Sequence, residues 1–151
     1  MEKKPPKIAL GHVHLKVRDL ERATRFYSEI LGLKVTQAIG DHFVFLSAGN
    51  THHEIALQLA PASASEVSPN SLGLYHVAFE VFSIEELSSL LEKLRLEGFT
   101  SQIVDHGISI AAYLSDPDGN GVEVFVDRRS HPGGSTSWDG QSYLVTDLRV
   151  L

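Results

Sequence analysis

The chain has 151 residues, 42% apolar and 21% charged, which suits one soluble globular domain with a sizeable core. A formal net charge of -6 without any basic cluster argues against nucleic acid, since phosphate recognition needs concentrated Lys and Arg. No apolar run is long enough for a membrane span, no cysteine is available for disulfides or thiolate metal sites, and Met1 to Pro6 lack the apolar segment of a signal peptide, so a cytoplasmic protein is expected.

Residues 8 to 17 read as a first strand, with Val13, Leu15 and Val17 alternating against His12, His14 and Lys16. Asp19 is placed to cap a helix whose apolar stripe is Leu20, Ala23, Phe26, Tyr27, Ile30 and Leu31, with Gly32 as its stop. Three strands follow, over 33–38, 42–48 and 54–60; the last alternates Ile55, Leu57 and Leu59 against Glu54, Ala56 and Gln58. The Pro/Ala/Ser-rich stretch 61–71 reads as a linker.

The pattern then restarts. Residues 74–81 read as a strand. Ser83 and Glu86 have capping-box spacing ahead of a stripe of Leu87, Leu90, Leu91 and Leu94, and Gly98 is the stop. Strands follow over 99–104, 108–115 and 121–126, with Asp116-Pro117-Asp118-Gly119-Asn120 as a turn. His12-Val13-His14-Leu15-Lys16-Val17 lies over His76-Val77-Ala78-Phe79-Glu80-Val81, so the chain is an internal repeat. The expected fold is α+β: two βαβββ modules, 8–60 and 72–127, forming a curled mixed sheet around a metal-binding cavity. The tail, 128–151, combines a Gly/Ser stretch with Trp138, Tyr143, Leu144, Val145, Leu148, Val150 and Leu151, and is expected to pack back on the domain or on a second subunit.

Glu123 is a carboxylate inside the apolar strand 121–126, where it needs a compensating charge or a metal. The repeat puts His12 and His76 in equivalent first-strand positions. His12, His76 and Glu123 are therefore expected to meet around one divalent metal. His14 shares the face of His12 and reads first as structural, with support of a ligand or an alternative ligand as the other readings; His42 and His131 read as surface residues.

On these residues the chain resembles the vicinal oxygen chelate superfamily, which includes glyoxalase I, bleomycin- and fosfomycin-resistance proteins, methylmalonyl-CoA epimerase and extradiol dioxygenases. It is most similar to the type I extradiol dioxygenases. The resemblance implies iron(II) held by His12, His76 and Glu123, with manganese(II) an alternative. It makes His53, in His52-His53-Glu54-Ile55-Ala56-Leu57, the acid–base histidine, and Tyr113, ten residues before Glu123, a substrate partner. His106 is the candidate for a further active-site histidine. Two imidazoles and one carboxylate leave adjacent positions open for a catechol and for dioxygen. The larger dioxygenases carry a second, non-catalytic domain that has no counterpart in these residues. The resemblance also implies a homodimer.

Glyoxalase I uses a fourth, acidic ligand on the last strand of the first module. Its counterpart here is Gln58 or, with a shorter spacing, Ala56, while Glu54 shares that face. A lyase or epimerase acting through an enediolate, with nickel(II) or zinc(II) in the site, is therefore the second reading. A drug- or metabolite-binding protein of the same fold is the third.

Overall fold

A computed structural model describes residues 7–68 and 70–148. The apolar tail residues Val150 and Leu151 and the lead-in Met1–Pro6 lie outside the described residues.

The first half contains β1 (Val13–Val17), α1 (Leu20–Arg25), β2 (Lys34–Ile39), β3 (Phe43–Ser47) and β4 (Ile55–Leu59). The second contains β5 (Val77–Glu80), α2 (Ile84–Leu96), β6 (Gln102–Asp105), β7 (Ser109–Ser115) and β8 (Gly121–Asp127); β9 (Tyr143–Leu144) comes from the tail. The curled sheet is realised as two mixed sheets, ordered β1-β4-β3-β2 and β5-β8-β7-β6-β9. In each, the first strand of the repeat runs parallel to the last and forms the sheet edge. The first strand is shorter than its alternation predicts. Residues 7–12 have no strand partner, and Ile8 and Leu10 stand exposed.

Strand alternation divides the faces. Leu15, Val17, Leu46, Ile55 and Leu57 of the first sheet, and Ile110, Val122, Val124 and Val126 of the second, join one buried cluster with residues of the helices. The polar partners of that alternation, His14 and Lys16 on β1 and Glu123 on β8, are left on the opposite face. The caps form as the sequence indicates. Asp19 accepts from the Arg22 N–H, and Ser83 from the Glu86 N–H. The Glu86 carboxylate accepts from the N–H of Phe82, one residue earlier than a regular capping box.

The end of α1 departs from an α-helical stripe. Phe26–Ile30 is a π-helical turn, closed by the Leu31 N–H on the Phe26 carbonyl at 3.0 Å. Consecutive Phe26 and Tyr27 are both buried there. Phe26 packs on Phe99 with ring centroids 5.0 Å apart, and the Tyr27 hydroxyl donates to Asp116 Oδ2 at 3.0 Å. Asp116 also accepts from the N–H groups of Asp118 and Asn120 and from the Asn120 amide, so one buried carboxylate organises the β7–β8 turn and ties the π-helical turn that follows α1 to the second half. Burial, then the Asp116 charge, pushes the Tyr27 phenol far above its ordinary value. Arg22–Asp118 and Arg25–Glu97 ion pairs add to this bridge at the surface.

The tail packs back on the second half, as one of the two expectations had it. β9 pairs antiparallel with β6, Val145 packs against the core and Leu148 is buried.

Candidate metal and catalytic site

Close backbone approach positions His76. A Cβ on Gly121 would lie 2.0 Å from the Tyr75 carbonyl oxygen, so only glycine lets the chain entering β5 lie against the start of β8. That contact brings His76 Nε2 to 2.8 Å from Glu123 Oε2. The Tyr113 hydroxyl, cross-strand from Glu123, donates to the other carboxylate oxygen at 3.2 Å. His106 Nε2 lies 2.8 Å from the same hydroxyl, and its Nδ1 lies 2.7 Å from Ser142 Oγ. His76, Glu123, Tyr113 and His106 thus form one connected group. Burial, then the Glu123 charge, pushes the Tyr113 phenol up to about 12, so it keeps its proton near neutral pH.

His12 stands with the first half. Its ring packs against His53 with centroids 4.6 Å apart, and His53 packs on Phe45 at 4.8 Å. His52 Nδ1 and His53 Nδ1 are 2.9 Å apart, a hydrogen bond in which one ring donates to the other. Desolvation, with the neighbouring His12 and His52 imidazoles next, holds His53 below the ordinary imidazole value against an opposing effect of Glu54. His14 lies edge-on to Phe43 at 6.0 Å. The predicted site residues therefore fall into two groups, His76–Glu123–Tyr113–His106 and His12–His52–His53. Among the described residues, no three His, Asp or Glu side chains close around a common point. A cavity of about 530 Å³ has walls from both halves, with His12 and Val13 facing the β5 segment Val77 to Glu80. A second, of about 490 Å³, lies under the linker and is lined by Val67, Tyr75, His76 and Tyr113.

The sheet registers settle which residue of the first half corresponds to Glu123. Val13 pairs with Ile55 and His14 with Ala56; Val77 pairs with Val122 and Ala78 with Glu123. With His12 over His76, the counterpart of Glu123 is Ala56. The counterpart of Tyr113, which faces Glu123, is Phe45, which faces Ala56. Gln58 lies two residues further on, opposite Lys16. The Glu54 carboxylate is turned into the preceding loop, accepting from the N–H groups of Ala48 and Thr51 and from the Thr51 hydroxyl. Its desolvation is outweighed by these bonds, which hold the acid below its ordinary value. Neither Gln58 nor Glu54 occupies the position equivalent to Glu123.

The donor set suits a divalent metal. The Glu123 carboxylate and the His76 imidazole converge, and the buried His76 Nδ1 has no hydrogen-bond partner. Sequence reasoning missed Ser142 and Trp138, which reach His106 from the tail; nothing in the local pattern marks them.

The family model described as Glyoxalase/Bleomycin resistance protein/Dioxygenase superfamily matches residues 9–124. The chain belongs to this superfamily. Catechol-2,3-dioxygenase of Bacillus subtilis (strain 168) is 34% identical over 119 residues, covering 79% of this chain but only 41% of that protein. Biphenyl-2,3-diol 1,2-dioxygenase 2 of Rhodococcus globerulus is 30% identical over 140 residues, 91% of this chain and 72% of its own length. Methylmalonyl-CoA epimerase of Homo sapiens mitochondria is 30% identical over 129 residues, 79% of this chain and 73% of its own. Among solved structures, the glyoxylase/bleomycin resistance protein/dioxygenase domain from Frankia sp. EAN1pec aligns with a TM-score of 0.68 at 26% identity, over 82% of this chain and all of that one. The superfamily fold is thus shared with dioxygenases and with an epimerase alike.

Proposed function

We propose that this chain is a metal-dependent extradiol dioxygenase that opens a catecholic ring with dioxygen. The observation that carries the reading is Ala56 standing where the second half has Glu123, which leaves that place without a fourth protein ligand beside the three we assign, His12, His76 and Glu123. These would hold iron(II), with manganese(II) the alternative. When bound, the metal supplies adjacent positions for the two substrate oxygens and dioxygen.

The chain's own groups do the rest. His53 accepts a phenolic proton as the catechol binds and returns a proton later, as a general base and acid. Tyr113 keeps its proton in a hydrogen bond donated to Glu123 and, held by His106, accepts with its remaining lone pair from a protonated substrate oxygen. The aromatic ring packs on Phe45, whose apolar surface replaces the hydroxyl that Tyr113 presents in the other half. His12, which stands with the first half beside His53, would have to approach the His76–Glu123 pair to complete the set. We take the working unit to be a cytoplasmic homodimer. The exposed apolar residues Ile8, Leu10, Leu72 and Leu74, which lead into the two ligand histidines, support the second copy.

The similarity to methylmalonyl-CoA epimerase favours one other reading, metal-assisted proton transfer through an enediolate. Oxygen consumption after anaerobic reconstitution with iron(II), on addition of catechol and 2,3-dihydroxybiphenyl, separates the two. Uptake with a yellow ring-opened product, lost in His76→Ala and Glu123→Ala, supports the dioxygenase. Stoichiometric metal with no uptake turns the assignment to the enediolate reaction. No uptake and no metal leaves a binding protein.

A further inference from the structure

The superfamily match ends at residue 124, yet residues beyond it surround His106. Tyr143 pairs with Asp105, the residue before His106, and the Ser135 N–H donates to the carbonyl of Gly107, the residue after it. Arg128 Nη1 lies 3.3 Å from Asp105 Oδ2, while Asp105 Oδ1 accepts from the Gly107 N–H. The Trp138 indole stands edge-on to the His106 ring, 5.6 Å away at 83°, and its own N–H donates to the Gln141 carbonyl at 2.6 Å. Ser142 Oγ lies 2.7 Å from His106 Nδ1.

We propose that the C-terminal segment is a positioning device for the active site, in which Ser142 and Trp138 hold His106 as one tautomer aimed at Tyr113. The direction of the hydrogen bonds follows from the carboxylate end. The Tyr113 hydroxyl donates to Glu123, and the Tyr113 oxygen then accepts from His106 Nε2–H. A neutral imidazole protonated on Nε2 offers Nδ1 as an acceptor, which the Ser142 hydroxyl satisfies. Without that hydroxyl Nδ1 loses its donor, and the Nε2–H tautomer keeps only the Tyr113 bond to favour it over the other, in which Nε2 competes with Glu123 for the Tyr113 proton. Ser142 and Trp138 touch no reacting atom; they act through His106. The catalytic consequence rests on the dioxygenase reading, but the placement of His106 does not.

The test uses the full chain, metal-free and labelled with ¹⁵N-histidine, so that two-bond proton–nitrogen correlations report each imidazole tautomer. The His106 signal is assigned by its loss in His106→Gln. We expect the wild type to show His106 as a single Nε2–H tautomer, Ser142→Ala to show averaged nitrogen shifts for that ring alone, and Ser142→Thr to restore the wild-type pattern. Trp138→Leu should shift the His106 ring protons by removing the indole ring current. An Nδ1–H tautomer in the wild type, or an unchanged His106 pattern in both Ser142→Ala and Trp138→Leu, overturns the proposal. In the iron(II) enzyme, Ser142→Ala should lower kcat roughly tenfold with little change in KM, as for other groups that orient an active-site partner. If the wild type consumes no oxygen, the dioxygenase reading fails by itself and the tautomer pattern still decides the role of the tail.

Discussion

Phe45 faces Ala56 across β3 and β4 where Tyr113 faces Glu123 across β7 and β8. One half of the repeat carries a phenol and a carboxylate, and the other carries a phenyl ring and a methyl group at the same places. Glu123 and Tyr113 thus have no polar counterparts at those two places in the first half.

Restoring the missing carboxylate tests this asymmetry. Ala56 is fully buried, so Ala56→Glu places an acid where only a cation makes its ionised form tolerable. The metal-free variant should unfold at a lower temperature than the wild type, and manganese(II) should raise its Tm by more than it raises that of the wild type. The iron(II) form should lose oxygen uptake, since a fourth protein ligand occupies a position the reactants need. Equal metal-induced shifts in Tm for the two proteins would show that residue 56 does not face the metal.

Glu123 and His76 should be indispensable for metal. Glu123→Ala leaves the His76 Nε2–H and the Tyr113 hydroxyl without their shared acceptor, and His76→Ala removes a donor nitrogen. Both variants should keep the wild-type circular dichroism and lose stoichiometric manganese(II) in equilibrium dialysis. Retention of one metal per chain in both would place the site elsewhere.

Gly121 should accept no side chain. The Cβ of Gly121→Ala would sit 2.0 Å from the Tyr75 carbonyl oxygen, and that obstacle is backbone. Relief requires β5 to move off β8, with an overpacking cost of about 1–3 kcal/mol in urea unfolding. The same displacement carries His76 away from Glu123, so metal affinity should fall with stability. A variant as stable as the wild type, with full metal affinity, would contradict the close approach.

Tyr27→Phe isolates the tie between the halves. The substitution keeps the ring contact with Phe26 and removes only the hydroxyl bonded to Asp116. Asp116 retains three donors, two backbone and one amide, so the loss should be about 1 kcal/mol. Chemical denaturation measures it, and a change within error would mean the bond contributes nothing net.

Local pattern determined a good deal of this protein. Period-two alternation located the strands, helical spacing located the helices, and Asp19 and Ser83 marked their starts, because each depends on neighbours a few residues away. The repeat made His12 and His76 equivalent, and the isolated charge in an apolar strand pointed to Glu123. Tertiary structure decided the rest. The choice between Gln58 and Ala56 hung on the hairpin between β3 and β4, which is one residue longer than that between β7 and β8, and hairpin length sets register. Glu54 has the strand parity of a ligand, but its carboxylate satisfies loop N–H groups instead. Ser142 and Trp138 lie far from His106 along the chain and meet it only because β9 joins the edge of the second sheet at β6. Contacts of that kind are made by pairing strands remote in sequence, and no periodicity within either segment encodes them.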